Sequence, residues 1–229
     1  MPGMPTDGGG ATRALAVLPT WLGIVWAVVF LAIAGSHARH MAATAGQRRA
    51  WHSCHVLMAL GMAFMYAPHS IDPFGVPPAF WQAVFAAAGI LAAVWAINGV
   101  GRVSTLVWLL TSIDMAVMLY MWSDAGGAGT AIIASLLTAY LVAAAVMWAF
   151  DLYRRIDGAA PIVSWGLLAT GAGAGSAPAG GRGSSRPGQI AGRASSSTGS
   201  LMGEIDINAS MIAMALGMAY MLVAMRLIG

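Results

Sequence analysis

The chain has 229 residues, of which 59% are hydrophobic and only 8% are charged. Soluble domains carry about 25% charged residues, so this composition excludes an ordinary soluble protein and indicates α-helices embedded in a lipid bilayer. The formal charge of +3 comes from arginine, because the sequence contains no lysine. In a membrane protein such a balance reports orientation rather than nucleic-acid binding, and the single cysteine, Cys54, excludes an internal disulfide.

Six apolar runs along the chain approach the length of about 20 residues that a membrane-spanning helix needs. They predict helices over 19–35, 51–66, 79–97, 103–122, 130–150 and 207–228. The first run exceeds the apolar core of a signal peptide, about 7–15 residues, so it is predicted to be an anchor, with a cleaved signal peptide as the alternative. The fold class is therefore all-α, a polytopic transmembrane helical bundle in the plasma membrane.

A change of composition divides the chain into three parts. Residues 1–157 are predicted to form a five-helix transmembrane region, and residues 204–229 a sixth transmembrane helix that packs on the first five. The Gly/Ser/Ala-rich segment 158–203 lies between them. Such a segment buries too little apolar surface to offset its ordering entropy, so it is predicted to be a disordered loop.

The arginines predict the orientation of these helices. Nine of the eleven follow the first, third and fifth apolar runs, and only Arg13 and Arg226 lie on the other side. Positively charged loops remain in the cytoplasm. Both termini are therefore predicted outside the cell, and the loop 158–203 inside it.

A six-residue motif that contains two methionines occurs twice in the sequence. The block Met-Ala-Leu-Gly-Met-Ala occurs at 58–63 and again at 214–219, and a related pattern, Asp-Met-Ala-Val-Met-Leu-Tyr-Met, occurs at 114–121. The methionines step by three and four residues, which places them on one face of each helix. Since the second, fourth and sixth helices run in the same direction, the three stripes are expected at similar depth.

Two interpretations of the stripes remain open. Methionine fills irregular gaps, and the neighbouring alanines and glycines let helices approach closely, so the stripes are explained as packing. Alternatively, thioether and imidazole ligands select Cu(I), and the stripes would then bind or pass copper or another soft metal ion. The candidate metal ligands are His52, Cys54, His55, Met58, Met62, Met65, His69, Asp114, Met118, Met121, Met211, Met214, Met218 and Met221.

Several of these polar residues also have simpler explanations. His37 and His40 are expected to be interfacial residues near lipid headgroups, and Cys54 alone is typical of a small buried residue. Asp114 falls near mid-membrane, where an ionisable group indicates a functional site; a helix-to-helix hydrogen bond or a protonated carboxyl explains it equally well. Haem ligation by His55 and His69 is disfavoured because Pro68 is expected to end the helix first.

No nucleotide-binding, hydrolase or CxxC motif appears, so catalysis is the least supported class. The alternative to metal binding is a non-catalytic membrane scaffold or partner subunit whose methionines are core packing. The sequence identifies neither a protein partner nor an oligomeric state.

The segment QRRAWHSCHVLMALGMAFMYAP, the short apolar runs and the methionine-rich last helix resemble an actinobacterial family of integral membrane proteins, the domain-of-unknown-function 5134 family. Its most recognisable piece is the motif at 58–65 with the trailing Pro68. The resemblance covers most of the chain apart from 158–203. It implies a membrane protein and carries no assigned activity.

Overall fold

A computed structural model describes residues 19–67, 76–98, 105–123, 128–156 and 189–228. Every regular element in these ranges is an α-helix, which confirms the predicted fold class. The six helices are α1 (Thr20–Ala43), α2 (Gln47–Tyr66), α3 (Pro78–Asn98), α4 (Thr105–Met121), α5 (Ala128–Ile156) and α6 (Gln189–Ile228). The last helix thus begins inside the segment predicted to be a loop, while residues 157–188 lie outside the described part of the chain.

Four of the six helices contain segments long and apolar enough to cross a membrane. These segments are Thr20–Ala43, Pro78–Asn98, Ala131–Tyr153 and Ile205–Leu227. Helix α4 is apolar but has 17 residues, and α2 is the least apolar of the six. The chain is therefore a helical membrane protein, and a crossing by α2 and α4 stays a prediction.

The helices pack as three consecutive pairs, α1 with α2, α3 with α4, and α5 with α6. Further contacts of α1 with α6 and of α2 with α4 join the pairs. Burial separates the even-numbered helices from the odd-numbered ones. Only 22% of the apolar segments of α3 and α5 is buried, against 56% of that of α6, and eleven of the 20 residues of α2 are buried.

This arrangement explains the polar composition of α2. Large exposed apolar side chains occur on α1, α3, α4, α5 and α6, whereas the described residues of α2 include none. Side chains such as Ile90 and Leu136 present the apolar surface that lipid requires. Helix α2 is shielded by its neighbours, so it can carry histidines toward the interior instead.

A three-residue connection fixes α1 against α2. The chain turns through residues 44–46, and Gly46 adopts a positive φ of 63° that side chains rarely tolerate. The tight turn makes the two helices antiparallel neighbours. As a result, the end of α1 that carries His37 and His40 lies beside the start of α2.

Candidate functional site

Contacts near both ends of α2 show how α2 and α6 are oriented relative to each other. Near the start of α2, Trp51 lines one cavity together with Thr111 of α4 and Met211 of α6. Near its end, the Tyr66 hydroxyl donates a hydrogen bond to the Gly217 carbonyl of α6, at 2.9 Å. Contacts at both ends require that α2 and α6 are parallel.

All the methionines predicted as ligands lie in the interior of the bundle. Nine are buried, on α2, α4 and α6: Met58, Met62, Met65, Met118, Met121, Met211, Met214, Met218 and Met221. Two stripes approach each other directly, because the Met118 methyl lies 3.0 Å from the position that a Cβ on Gly61 would take. Met115, which was not among the predicted ligands, is also fully buried.

Three histidines gather where these stripes begin. The ring centroids of His37 and His55 are 5.1 Å apart and those of His37 and His52 are 5.4 Å apart. All three side chains are buried. The prediction that His37 is an interfacial residue is therefore wrong: the short 44–46 connection holds it against α2 instead of beside lipid headgroups.

Hydrogen bonds assign the tautomers of these neutral rings. Ser210 donates its only hydroxyl hydrogen to the Ile207 carbonyl, at 2.7 Å, so the 2.9 Å contact with His37 is a donation from its Nε2–H. The His37 Nδ1 is then an acceptor and receives the Nδ1–H of His52, at 3.1 Å. The lone pair of His52 consequently resides on Nε2.

His55 has the same tautomer for a different reason. Its Nδ1–H donates to the Trp51 carbonyl of the preceding turn, at 2.8 Å. The lone pair therefore lies on Nε2, which is buried and has no hydrogen-bond partner among the described residues. Metal-binding histidines commonly have this arrangement, with one ring nitrogen held by a carbonyl and the other free to coordinate.

His40 connects this cluster to the edge of the bundle. Its ring stacks on His52 with centroids 5.4 Å apart, and its Nε2 lies 3.6 Å from the Asp206 carboxylate of α6. The Ser36 hydroxyl donates to the same carboxylate. Asp206 is 45% exposed, so a line of imidazole rings leads from an accessible carboxylate to the buried His55.

Asp114 lies on the other side of Trp51. The Trp51 ring packs 4.1 Å from that of His55 and also lines the cavity beside Asp114. The Tyr140 hydroxyl of α5 donates to the Asp114 carboxylate at 3.0 Å, which is the helix-to-helix hydrogen bond that the sequence left open. Asp114 therefore belongs to an oxygen-rich environment, separated by an indole from the histidines.

The buried carboxylate of Asp151 was not predicted from the sequence. Asn208 of α6 donates to Asp151 of α5 at 3.1 Å, and both side chains are almost fully buried. Their separation by 57 residues leaves no local pattern to detect. The available signal was the presence of Asn208 and Ser210 in the first turns of an apolar segment, where polar residues require interior partners.

The remaining predicted ligands fit the cluster less closely. Cys54 is a buried free thiol, and His69 lies outside the described residues. Helix α2 ends at Tyr66, before Pro68, as the sequence predicts. Within the described ranges, no group of three or more His, Cys, Asp or Glu side chains is placed to hold a metal ion.

A protein-family model matches most of the chain. The model for a domain of unknown function, DUF5134, matches residues 47–225. The chain belongs to this family. The match begins at the first residue of α2 and includes His52, His55 and all three methionine stripes, whereas His37 and His40 on α1 precede it. Searches of curated proteins and of solved structures found no match.

Proposed function

We propose that this DUF5134 protein binds Cu(I), or another soft metal ion, inside the bundle and passes it along the methionine stripes without catalysing a reaction. The observation that carries the proposal is the His55 Nε2, a buried lone pair that has no hydrogen-bond partner in the described residues. The carbonyl of Trp51 holds the other ring nitrogen and so fixes this tautomer. A buried acceptor of this kind is costly unless a ligand occupies it.

The proposed site combines this imidazole with thioether sulfurs. Met58 is three residues beyond His55 on α2 and Met62 is four residues further, so the three side chains share one helix face. Cu(I) favours soft ligands of this type. Because three-ligand sets of His, Cys, Asp and Glu are not found among the described residues, thioethers are essential to the proposal.

The other buried methionines provide successive ligands along the same path. Seven stripe residues complete the proposed set with His55, Met58 and Met62, and all of them are buried on α2, α4 or α6: Met65, Met118, Met121, Met211, Met214, Met218 and Met221. Thioethers and neutral imidazoles are uncharged, soft ligands, which favour Cu(I) over harder ions. Sites of similar chemistry in series allow an ion to exchange from one to the next.

Copper titration tests the proposal. The detergent-purified protein is loaded with Cu(I) under reducing conditions, and its affinity is measured by competition with a chromogenic chelator. His55→Asn keeps a donor near Nδ1 but removes the Nε2 lone pair, and Met58→Leu keeps the packing volume. We expect each to weaken binding at least about tenfold, or 1.4 kcal/mol.

Two variants serve as controls in that experiment. Met147→Leu changes a methionine of α5 outside the three stripes, and His40→Asn changes an imidazole at the edge of the cluster. Both are expected to keep the wild-type affinity. Wild-type affinity in His55→Asn and in Met58→Leu would refute the proposed site.

The competing function is a non-catalytic membrane scaffold or partner subunit in which the methionines only pack. It is favoured by the tight contacts of the stripes, since a Cβ on Gly61 would meet the Phe85 ring at 2.5 Å and the Met118 methyl at 3.0 Å. Under this alternative the wild-type protein retains no copper after desalting. Copper content therefore decides between the two functions.

The proposed location is the plasma membrane of an actinobacterium, with six crossings and both termini outside. The support is the distribution of arginines, of which Arg39, Arg48 and Arg49 lie at the α1–α2 end of the bundle. Alkaline phosphatase fused after Gly229 is expected to be active, because this enzyme requires export. Activity from a fusion at position 100, and none at the C-terminus, would reverse the orientation.

A further inference from the structure

The cavity beside Asp114 has a volume of about 20 Å³, room for one atom or molecule the size of water. Three of its lining side chains carry oxygen: Asp114 and Thr111 of α4, and Tyr140 of α5. Trp51 and Trp148 form apolar walls. Met211, one of the proposed copper ligands, also lines the cavity, but the three oxygen-bearing side chains offer hard ligands that imidazole and thioether groups do not.

The hydroxyl hydrogens around this cavity are already committed. Thr111 donates to the Val107 carbonyl on its own helix at 2.8 Å, and Tyr140 donates to the Asp114 Oδ1 at 3.0 Å. Each hydroxyl has one hydrogen to give. The two hydroxyls and the carboxylate therefore offer lone pairs rather than hydrogens to anything held between them.

Charge decides which occupant suits these lone pairs. None of the nine side chains that line the cavity is basic, and Asp114 itself is buried. A carboxyl group in a low-dielectric interior is either protonated or, when ionised, paired with a compensating positive charge. Bound water would satisfy the lone pairs but not the charge, whereas a small cation satisfies both.

We propose that the Asp114 carboxylate, with the Thr111 and Tyr140 hydroxyl oxygens, binds a sodium ion in this cavity. Oxygen ligands select hard cations over soft ones, so the site discriminates against the ion proposed for the methionine stripes. The cavity volume excludes a hydrated ion and permits a dehydrated one. The buried Asp114 carboxylate is thereby given a function that the hydrogen bond to Tyr140 alone does not require.

Thermal unfolding in detergent tests the sodium site. The protein is heated in sodium chloride and in choline chloride at equal ionic strength, and tryptophan fluorescence is recorded, which includes Trp51 and Trp148 at the cavity wall. A ligand that binds only the folded state raises the unfolding temperature. We expect a sodium-dependent increase in the wild type that saturates with concentration and disappears in Asp114→Asn.

Two threonine variants distinguish ligation from folding. Thr111→Val removes a hydroxyl oxygen from the cavity, and is expected to raise the half-saturating sodium concentration at least about tenfold. Thr138→Val is the matched control, because its hydroxyl also donates to a carbonyl four residues earlier, at 2.7 Å, but does not line the cavity. It should keep the wild-type sodium response.

Each result bears on the site alone, because no copper is added. Equal unfolding temperatures of the wild type in sodium and choline would overturn the proposal, and so would an unchanged sodium response in Asp114→Asn. A variant that is less stable overall still answers the question, since the measured quantity is the difference between the two salts. Failure of copper binding leaves this result unaffected.

Discussion

In the interior of the bundle, a polar end and a methionine end are stabilised by different kinds of side chain. At the polar end, near the start of α2 and the start of the apolar segment Ile205–Leu227 of α6, buried side chains such as His37, Asp151 and Asn208 hydrogen-bond across helices. At the methionine end, toward the last turns of α2 and α6, burial is achieved by thioethers and stacked aromatic rings. Trp26, Phe30 and Tyr66 form such a stack, with ring centroids 5.7–5.9 Å apart.

The two ends therefore gain their stability from different interactions. In lipid, apolar side chains gain little by leaving the solvent, so association depends on close packing and on interhelical hydrogen bonds. The polar end relies on the second contribution and the methionine end on the first. Loss of a hydrogen-bond partner should therefore be most damaging at the polar end, and added volume most damaging at the methionine end.

The largest expected effect comes from removing a partner at the polar end. Asn208→Leu preserves volume but takes a hydrogen bond from the buried Asp151 carboxylate. Hydrogen bonds to charged groups contribute about 1.5–3 kcal/mol, and we expect a loss of unfolding free energy in that range. Thermal or denaturing-detergent unfolding, followed by tryptophan fluorescence, measures it.

Asn98→Leu provides the comparison for that variant. Asn98 is exposed and, among the described residues, donates to Val94 on its own helix, so its replacement should change stability by less than about 0.5 kcal/mol. Equal effects of the two substitutions would show that the Asp151 hydrogen bond does not stabilise the polar end.

The next effect adds volume at the methionine end. A Cβ on Gly217 would collide with the ring of Phe30, which is fully buried. Overpacking of this kind costs about 1–3 kcal/mol, so we expect Gly217→Ala to lower the free energy of unfolding by that amount. The same unfolding assay measures the change.

Gly35→Ala separates overpacking from helix propensity. A Cβ at this position in α1 would meet nothing within 4 Å, so the substitution should have no cost and gain up to about 1 kcal/mol from helix propensity. If Gly217→Ala were as harmless as Gly35→Ala, the α1–α6 contact would be looser than the structure indicates.

The two ends also differ in how far the sequence predicts them. Apolar length and helical periodicity place the methionine stripes, because both depend only on neighbours within one helix. Apolar length alone predicts that the first helix ends at residue 35, whereas α1 continues to Ala43. Half of the eight extra residues are polar, and two of these, Ser36 and His37, are buried against other helices instead of lipid.

The polar end resists prediction because its partners are distant in sequence. His37 contacts His52 across the 44–46 turn, but it also contacts Ser210, which is 173 residues away. A single sequence shows that these residues are polar and not which of them meet. Asp114 was recognisable as a special position, while its partner Tyr140 required the packing of α5 on α4.

A smaller effect is expected from removing the hydrogen bond that joins Tyr66 of α2 to the Gly217 carbonyl of α6 at the methionine end. Tyr66→Phe removes the hydroxyl that donates to the Gly217 carbonyl and keeps the ring in its aromatic stack. A neutral hydrogen bond contributes about 0.5–1.5 kcal/mol, which is the expected loss in unfolding free energy. Tyr153→Phe, at a tyrosine that is 64% exposed, should change it little, and a similar loss in both variants would contradict the assignment.

The smallest effect should come from Met62→Leu and Met218→Leu in the absence of metal. Both side chains are buried, and exchange of methionine for leucine preserves volume at a cost below about 1.5 kcal/mol. With Cu(I) present at about 100 times its dissociation constant, binding adds about 2.7 kcal/mol to the stability of the wild type. The gap between wild type and variants should then widen, since the variants bind less copper. A gap that stays the same with and without Cu(I) would mean that the methionine end is built for packing alone, and that the metal interpretation of the stripes is wrong.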